Sequence, residues 1–135
     1  LGFITLVFSA CETELMRKQA EQLRQQEEEL ARQRQEIETL KITQQQEEEK
    51  RLACNRAFRE FERAQSNKDP RAAVEQYRRG IALCPEDDVA HYELGKVLAR
   101  LGDTQAAQTE FEAALKINPS FTAAKTALEE LLSKP

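Results

Sequence analysis

The chain has 135 residues, enough for one ordinary domain, with a third of them charged, no Trp and a single His. The net charge of −4 is mild and its signs are mixed, so there is none of the clustered basic surface that phosphate binding needs, and no nucleic-acid partner is expected. Cys11, Cys54 and Cys84 lack zinc-type spacing, and Gly2, Gly80, Gly95 and Gly102 never cluster into a phosphate loop, so neither metal nor cofactor is expected.

Leu1 stands where a complete chain begins with Met, which reads as a fragment or a trimmed protein. Leu1, Phe3, Ile4, Leu6, Val7 and Phe8 make an apolar run that closes on Ser9-Ala10-Cys11, the layout of a secretory signal. Three readings of residues 1–10 stand: a plain helix start, the end of a membrane span, which needs ~20 apolar residues, or the remnant of a signal peptide. Phe8-Ser9-Ala10-Cys11 resembles the bacterial lipoprotein signal. That resemblance implies cleavage before Cys11 and lipidation of its sulfur, hence a membrane anchor at a new N-terminus. Glu12, where inner-membrane members carry Asp, implies the periplasmic side of the outer membrane.

Residues 12–53 hold eleven Asp/Glu, eight Lys/Arg and nine Gln, too polar to bury a core. No Gly or Pro occurs between Phe3 and Asp69, and the residues are strong helix formers, so one helix is expected from about residue 12 to about residue 66. It would be a rod of roughly 80 Å. Glu14–Lys18, Glu28–Arg32 and Glu47–Arg51 are spaced to pair one turn apart. Met16, Leu23, Leu30 and Ile37 recur every seven residues, one column of a coiled-coil seam. The second column, Gln19, Gln26, Gln33 and Leu40, is mostly Gln. A strong zipper is thereby excluded; a weak homo-oligomer through residues 12–53 and a lone solvated helix remain. Residues 11–53 read as a polar helical spacer.

The second half repeats. Pro85 and Pro119, Ala73 and Ala107, Tyr77 and Phe111, and Gly80 and Ala114 are each 34 apart. This period marks a helix–turn–helix array, and residues 88–119, DVAHYELGKVLARLGDTQAAQTEFEAALKINP, resemble the tetratricopeptide repeat. Leu94-Gly95, Ala107, Phe111, Ala114 and Pro119 match that family's pattern, Leu98 takes a Tyr position, and His91 takes a Trp position. The preceding unit carries Phe61 where the family has its close-packing Gly, so its first helix is expected to pack more loosely. Asp69-Pro70 and Asp103-Thr104 read as helix starts, Pro85 and Pro119 as stops, and Ser120 as a cap for a last helix with Ala124, Ala127, Leu128 and Leu131 inward. The fold class is therefore all-α: a long N-terminal helix running into a domain at residues 54–135, with repeats at 54–87 and 88–121 and a capping helix at 122–132.

The resemblance carries further implications. Its antiparallel helix pair sets Cys54 beside Cys84, as a disulfide or as two separate buried thiols. Its first helices line a concave face for peptides, here Asn55, Phe58, Glu62 and Gln65 from one unit and Tyr92, Lys96, Ala99 and Arg100 from the next. Phe58 and Tyr92, 34 apart, either form an aromatic platform or pack on neighbouring helices, and Lys96 and Arg100 favour an acidic partner. No nucleophile–base pair or paired carboxylates are evident, and His91 sits at a packing position without an evident Cys or Asp partner, so no enzyme is expected. The expected function is a protein-binding scaffold in the bacterial cell envelope, with a membrane-tethered or cytosolic adaptor as the alternative. In layout the chain is also similar to periplasmic coiled-coil and repeat proteins that work with the Tol–Pal division machinery.

Overall fold

The computed structural model describes residues 2–134, with side chains from Glu12 onward, so Cys11 lies outside the described side chains. The chain is all-α. It runs through α1 (Gly2–Ser66), α2 (Pro70–Leu83), α3 (Asp88–Arg100), α4 (Thr104–Ile117) and α5 (Thr122–Ser133). By internal contacts it divides into Leu1–Gln46 and Glu47–Pro135.

In the first unit every described side chain is exposed, including Met16, Leu23, Leu30 and Ile37. Local charge pairs support the helix. Lys18 meets Glu14 at 3.3 Å as its spacing predicts, but Arg32 pairs with Glu29 rather than Glu28. Arg51, in the second unit, likewise takes Glu48 rather than Glu47. Acidic triplets at 27–29 and 47–49 offer each Arg a partner at three residues as well as four, and both spacings share a helix face. Among the described residues no helix is long and apolar enough to cross a membrane.

In the second unit the helix ends are set by individual residues. Asp69 caps α2 through Arg71 N–H, with Pro70 supplying a first-turn residue that has no N–H to satisfy. Asp87 caps α3 through Ala90 N–H and Asp103 caps α4 through Ala106 N–H. Cys84 and Asn118 precede Pro85 and Pro119 and leave helical geometry, as the residue before a proline tends to do. Gly102 supplies the positive φ of 84° that closes α3. The α5 start differs from expectation. Ser120 does not cap it; Ser120 N–H and Oγ both bond Asn118 Oδ1, and Phe121 is the cap residue without a side-chain bond. Asn118 also reaches back to Asp88 at 2.7 Å, so this turn is tied to the start of α3.

The core runs from Ala57, Phe61 and Ala64 through Tyr77, Leu94 and Leu98 to Phe111, with Ala127, Leu128 and Leu131 of α5 packed on it. Phe61 does not loosen its pair. Its ring lies against Gly80, where an added Cβ would come within 2.2 Å of a ring carbon, and it stacks on Tyr77 at 6.1 Å. In the next pair the roles are reversed: Gly95 on the first helix receives the ring of Phe111 on the second. Either way one ring meets one glycine, so the helices approach closely. Cys54 and Cys84 are joined by a disulfide with their Cα atoms 4.7 Å apart, tying α1 to the end of α2.

Candidate functional site

The residues expected to form a peptide-binding face come from the last turns of α1 and from α3. Asn55, Glu62 and Gln65 are exposed on α1, and Phe58 stands 60% exposed beside them. Tyr92 behaves differently. It is partly buried, with its ring 6.0 Å from Phe111 and 5.1 Å from Phe121. The two aromatics are therefore not equivalent: Phe58 is free to meet a partner, whereas Tyr92 is largely taken up by α4 and the α5 turn. The reason is the residue at the following turn: the position 34 residues before Phe121 is Asp87, so Phe58 lacks the ring that covers Tyr92.

Three hollows adjoin along α3. The first, about 470 Å³, has Phe58, Phe61, Gln65, Tyr77, Val89 and Glu93 on its walls. The second, about 300 Å³, shares Gln65, Tyr77 and Glu93 with it and adds Arg100. The third, about 420 Å³, shares Glu93 and Arg100 with the second and adds Lys96, Ala99, Ala127 and Leu131. Of the residues expected from sequence, Phe58, Gln65, Lys96, Ala99 and Arg100 thus face one continuous row. Glu93, which lines all three hollows, was missed. Its spacing resembles that of any solvated helix residue, and only the side-by-side placement of α1, α3 and α5 gives it a central position.

The charges are arranged locally. Lys96 Nζ is held 2.9 Å from Glu93 and 4.9 Å from the Tyr92 ring centre, so its charge is committed within the protein. Arg100 is exposed and makes no ion pair among the described residues. Burial, reinforced by the nearby Glu93 charge, pushes the Tyr77 hydroxyl up to about 12, against the opposing pull of Arg100 and a hydrogen bond with Gln65. Tyr77 therefore keeps its hydroxyl neutral at the floor of the row.

His91 has partners after all. Nδ1 lies 2.6 Å from Glu110 and Nε2 lies 3.0 Å from the Pro85 carbonyl. Glu110 follows His91 by nineteen residues, one helix and turn further on, which is why no local spacing announced it. The pair links α3 and α4 to the loop after Cys84 and stands apart from the hollows. Among the described residues no group of His, Cys, Asp or Glu is placed to hold a metal.

Two comparisons bear on this geometry. Residues 71–102 match the family model described as TPR repeat, and residues 89–121 match the one described as tetratricopeptide repeat. Residues 71–121 hold tetratricopeptide repeats. In that frame α3 and α4 form one complete unit and α2 is the second helix of the unit before. A stretch of 45 residues is also 40% identical to a protein O-mannosyl-transferase of Caenorhabditis elegans, covering 33% of this chain and 6% of that protein. The chain therefore spans a small fraction of that relative's length, about one repeat and a helix.

Proposed function

We propose that this protein is a non-catalytic scaffold whose tetratricopeptide repeats hold a protein partner along α3. The carrying observation is the continuous row of three hollows between the α1 end, α3 and α5, with an exposed Phe58 at one end and an unpaired Arg100 further along. Tetratricopeptide repeats serve as interaction surfaces, and the transferase likeness is confined to a repeat-sized stretch, so no transferase chemistry is assigned. A photo-crosslinking residue at position 58 or 100 should trap a discrete partner in intact cells. The same group at Thr109, exposed on α4, should not. Equal capture at all three positions would move the site off this face.

The finer reading places the scaffold in the bacterial cell envelope, on the periplasmic side of the outer membrane, anchored by lipid on Cys11. Two things support it: the Phe8-Ser9-Ala10-Cys11 sequence and a disulfide between Cys54 and Cys84, which persists in oxidising compartments and not in a reducing cytosol. Metabolic labelling with palmitate, lost in Cys11→Ala, tests it. Residues 12–53 act in this reading as a spacer that self-associates weakly through the exposed Met16, Leu23, Leu30 and Ile37 column.

A further inference from the structure

The first hollow differs from its neighbours in chemistry. Its floor is formed by Phe61, Tyr77 and Ala90, all buried, and its lip by the exposed side chains of Phe58 and Val89. Both lip residues are large hydrophobes left in water at 60% and 49% exposure. Around this apolar centre the charged groups are all of one sign: Glu86, Asp87, Asp88 and Glu93 line the hollow, with no Lys, Arg or His among its walls.

Not all four carboxylates are equally free. Asp87 accepts from Ala90 N–H at 2.8 Å, Asp88 accepts the Asn118 amide at 2.7 Å, and Glu93 is shared with Lys96. Glu86 makes no hydrogen bond or ion pair among the described residues, and it sits in the turn between α2 and α3 at the mouth. The disulfide holds that turn in place, because Cys84 is both a wall of the hollow and one end of the bridge to α1.

Resting on the scaffold reading above, we infer that this hollow receives one large aliphatic or aromatic side chain of a partner segment whose neighbouring residues are Lys or Arg. A volume of about 470 Å³ takes such a side chain with part of its backbone. Its burial against Phe58 and Val89 provides the affinity, while the acidic mouth selects basic neighbours and repels acidic ones. This reverses the preference expected from Lys96 and Arg100, since Lys96 is neutralised by Glu93 and Arg100 lies outside the first hollow.

The test uses the full chain with its disulfide intact and two fluorescent short peptides, each with a central Phe flanked by two Lys or by two Glu. The Lys-flanked peptide should bind saturably, at least tenfold more tightly than the Glu-flanked one, and should weaken as salt is raised. Phe58→Ala should lower its affinity about tenfold, and Glu86→Lys should shrink or invert the preference between the two peptides. Both positions are exposed, so thermal melts of the variants should match the parent. Equal affinities for the two peptides, no effect of Phe58→Ala, or no saturable binding of either overturns the inference. Crosslinking from position 100 that persists alongside such a result leaves the scaffold reading standing and this pocket assignment refuted; loss of both removes the two together.

Discussion

His91 shows how one side chain can give this fold a pH dependence. Both ring nitrogens face oxygens that only accept, a Glu110 carboxylate and the Pro85 carbonyl, so the arrangement is complete when the ring is protonated. The hydrogen bond to Glu110 raises its pKa from the ordinary 6.5 against the opposing effect of burial, helped by the Pro85 carbonyl and the charges of Glu110 and Asp87. A raised folded value means that the contribution is fully present below the ordinary value and is lost as pH rises through the folded one. Melting temperature should therefore fall as the solution passes from mildly acidic to mildly alkaline. Glu110→Gln should flatten that slope, and an NMR titration of the His91 ring should show a pKa returned towards the ordinary value. A slope unchanged in Glu110→Gln would assign the pH dependence to other groups. None of this was legible locally, because a partner nineteen residues away on the next helix leaves no mark in the spacing around His91.

At the scale of elements, the helix array was legible because it repeats. Ala73 and Ala107, and Tyr77 and Phe111, are buried in equivalent places, and the Asp caps and prolines fix the ends. What the pattern hid was compensation between helices. Phe61 reads as a defect within its own helix, and only the placement of Gly80 opposite it shows a fitted contact. The same comparison explains how two units and a last helix suffice. Ala90, Leu94 and Val97 bury one side of α3, whereas the residues 34 earlier are Arg56, Glu60 and Arg63, with Glu60 paired to Arg63 and Arg79. At the other end, α5 carries exposed Lys125 and Glu129 where α3 has His91 and Gly95. The α1 end face is thus polar, as a terminal repeat requires, while on α5 the exposed Leu132 stands beside Lys125 and Glu129. The disulfide adds to this. Replacing Cys54 and Cys84 by Ser should cost roughly 3–4 kcal/mol in the chain-entropy account for a loop of this size, read as a lower denaturation midpoint. A reductant should destabilise the parent and leave the variant unmoved; equal sensitivity in both would show that the bridge contributes nothing.

For the molecule as a whole, the question is how a chain with one small packed unit uses the helical stretch at residues 12–46, whose side chains are all exposed. Leu23, Leu30 and Ile37 are each about half exposed on the first unit, in register every seven residues. Gln19, Gln26 and Gln33 fill most of the adjoining column and keep any seam weak. Sedimentation equilibrium should show concentration-dependent self-association. Replacing those three Gln by Leu should convert it to a stable oligomer at the lowest measurable concentrations. A monomer in both cases would mean that this helix acts alone.

The reversed ring-and-glycine contacts restrict how the array can be recombined. A leading helix bearing Phe61, spliced in front of α4, would find Ala114 where α2 offers Gly80, and the methyl of that alanine would fall inside the aromatic ring. The opposite splice, with Gly95 presented to α2, brings no collision. Modules of this protein are therefore interchangeable in one direction only, and a library built by shuffling them should return survivors from that direction alone.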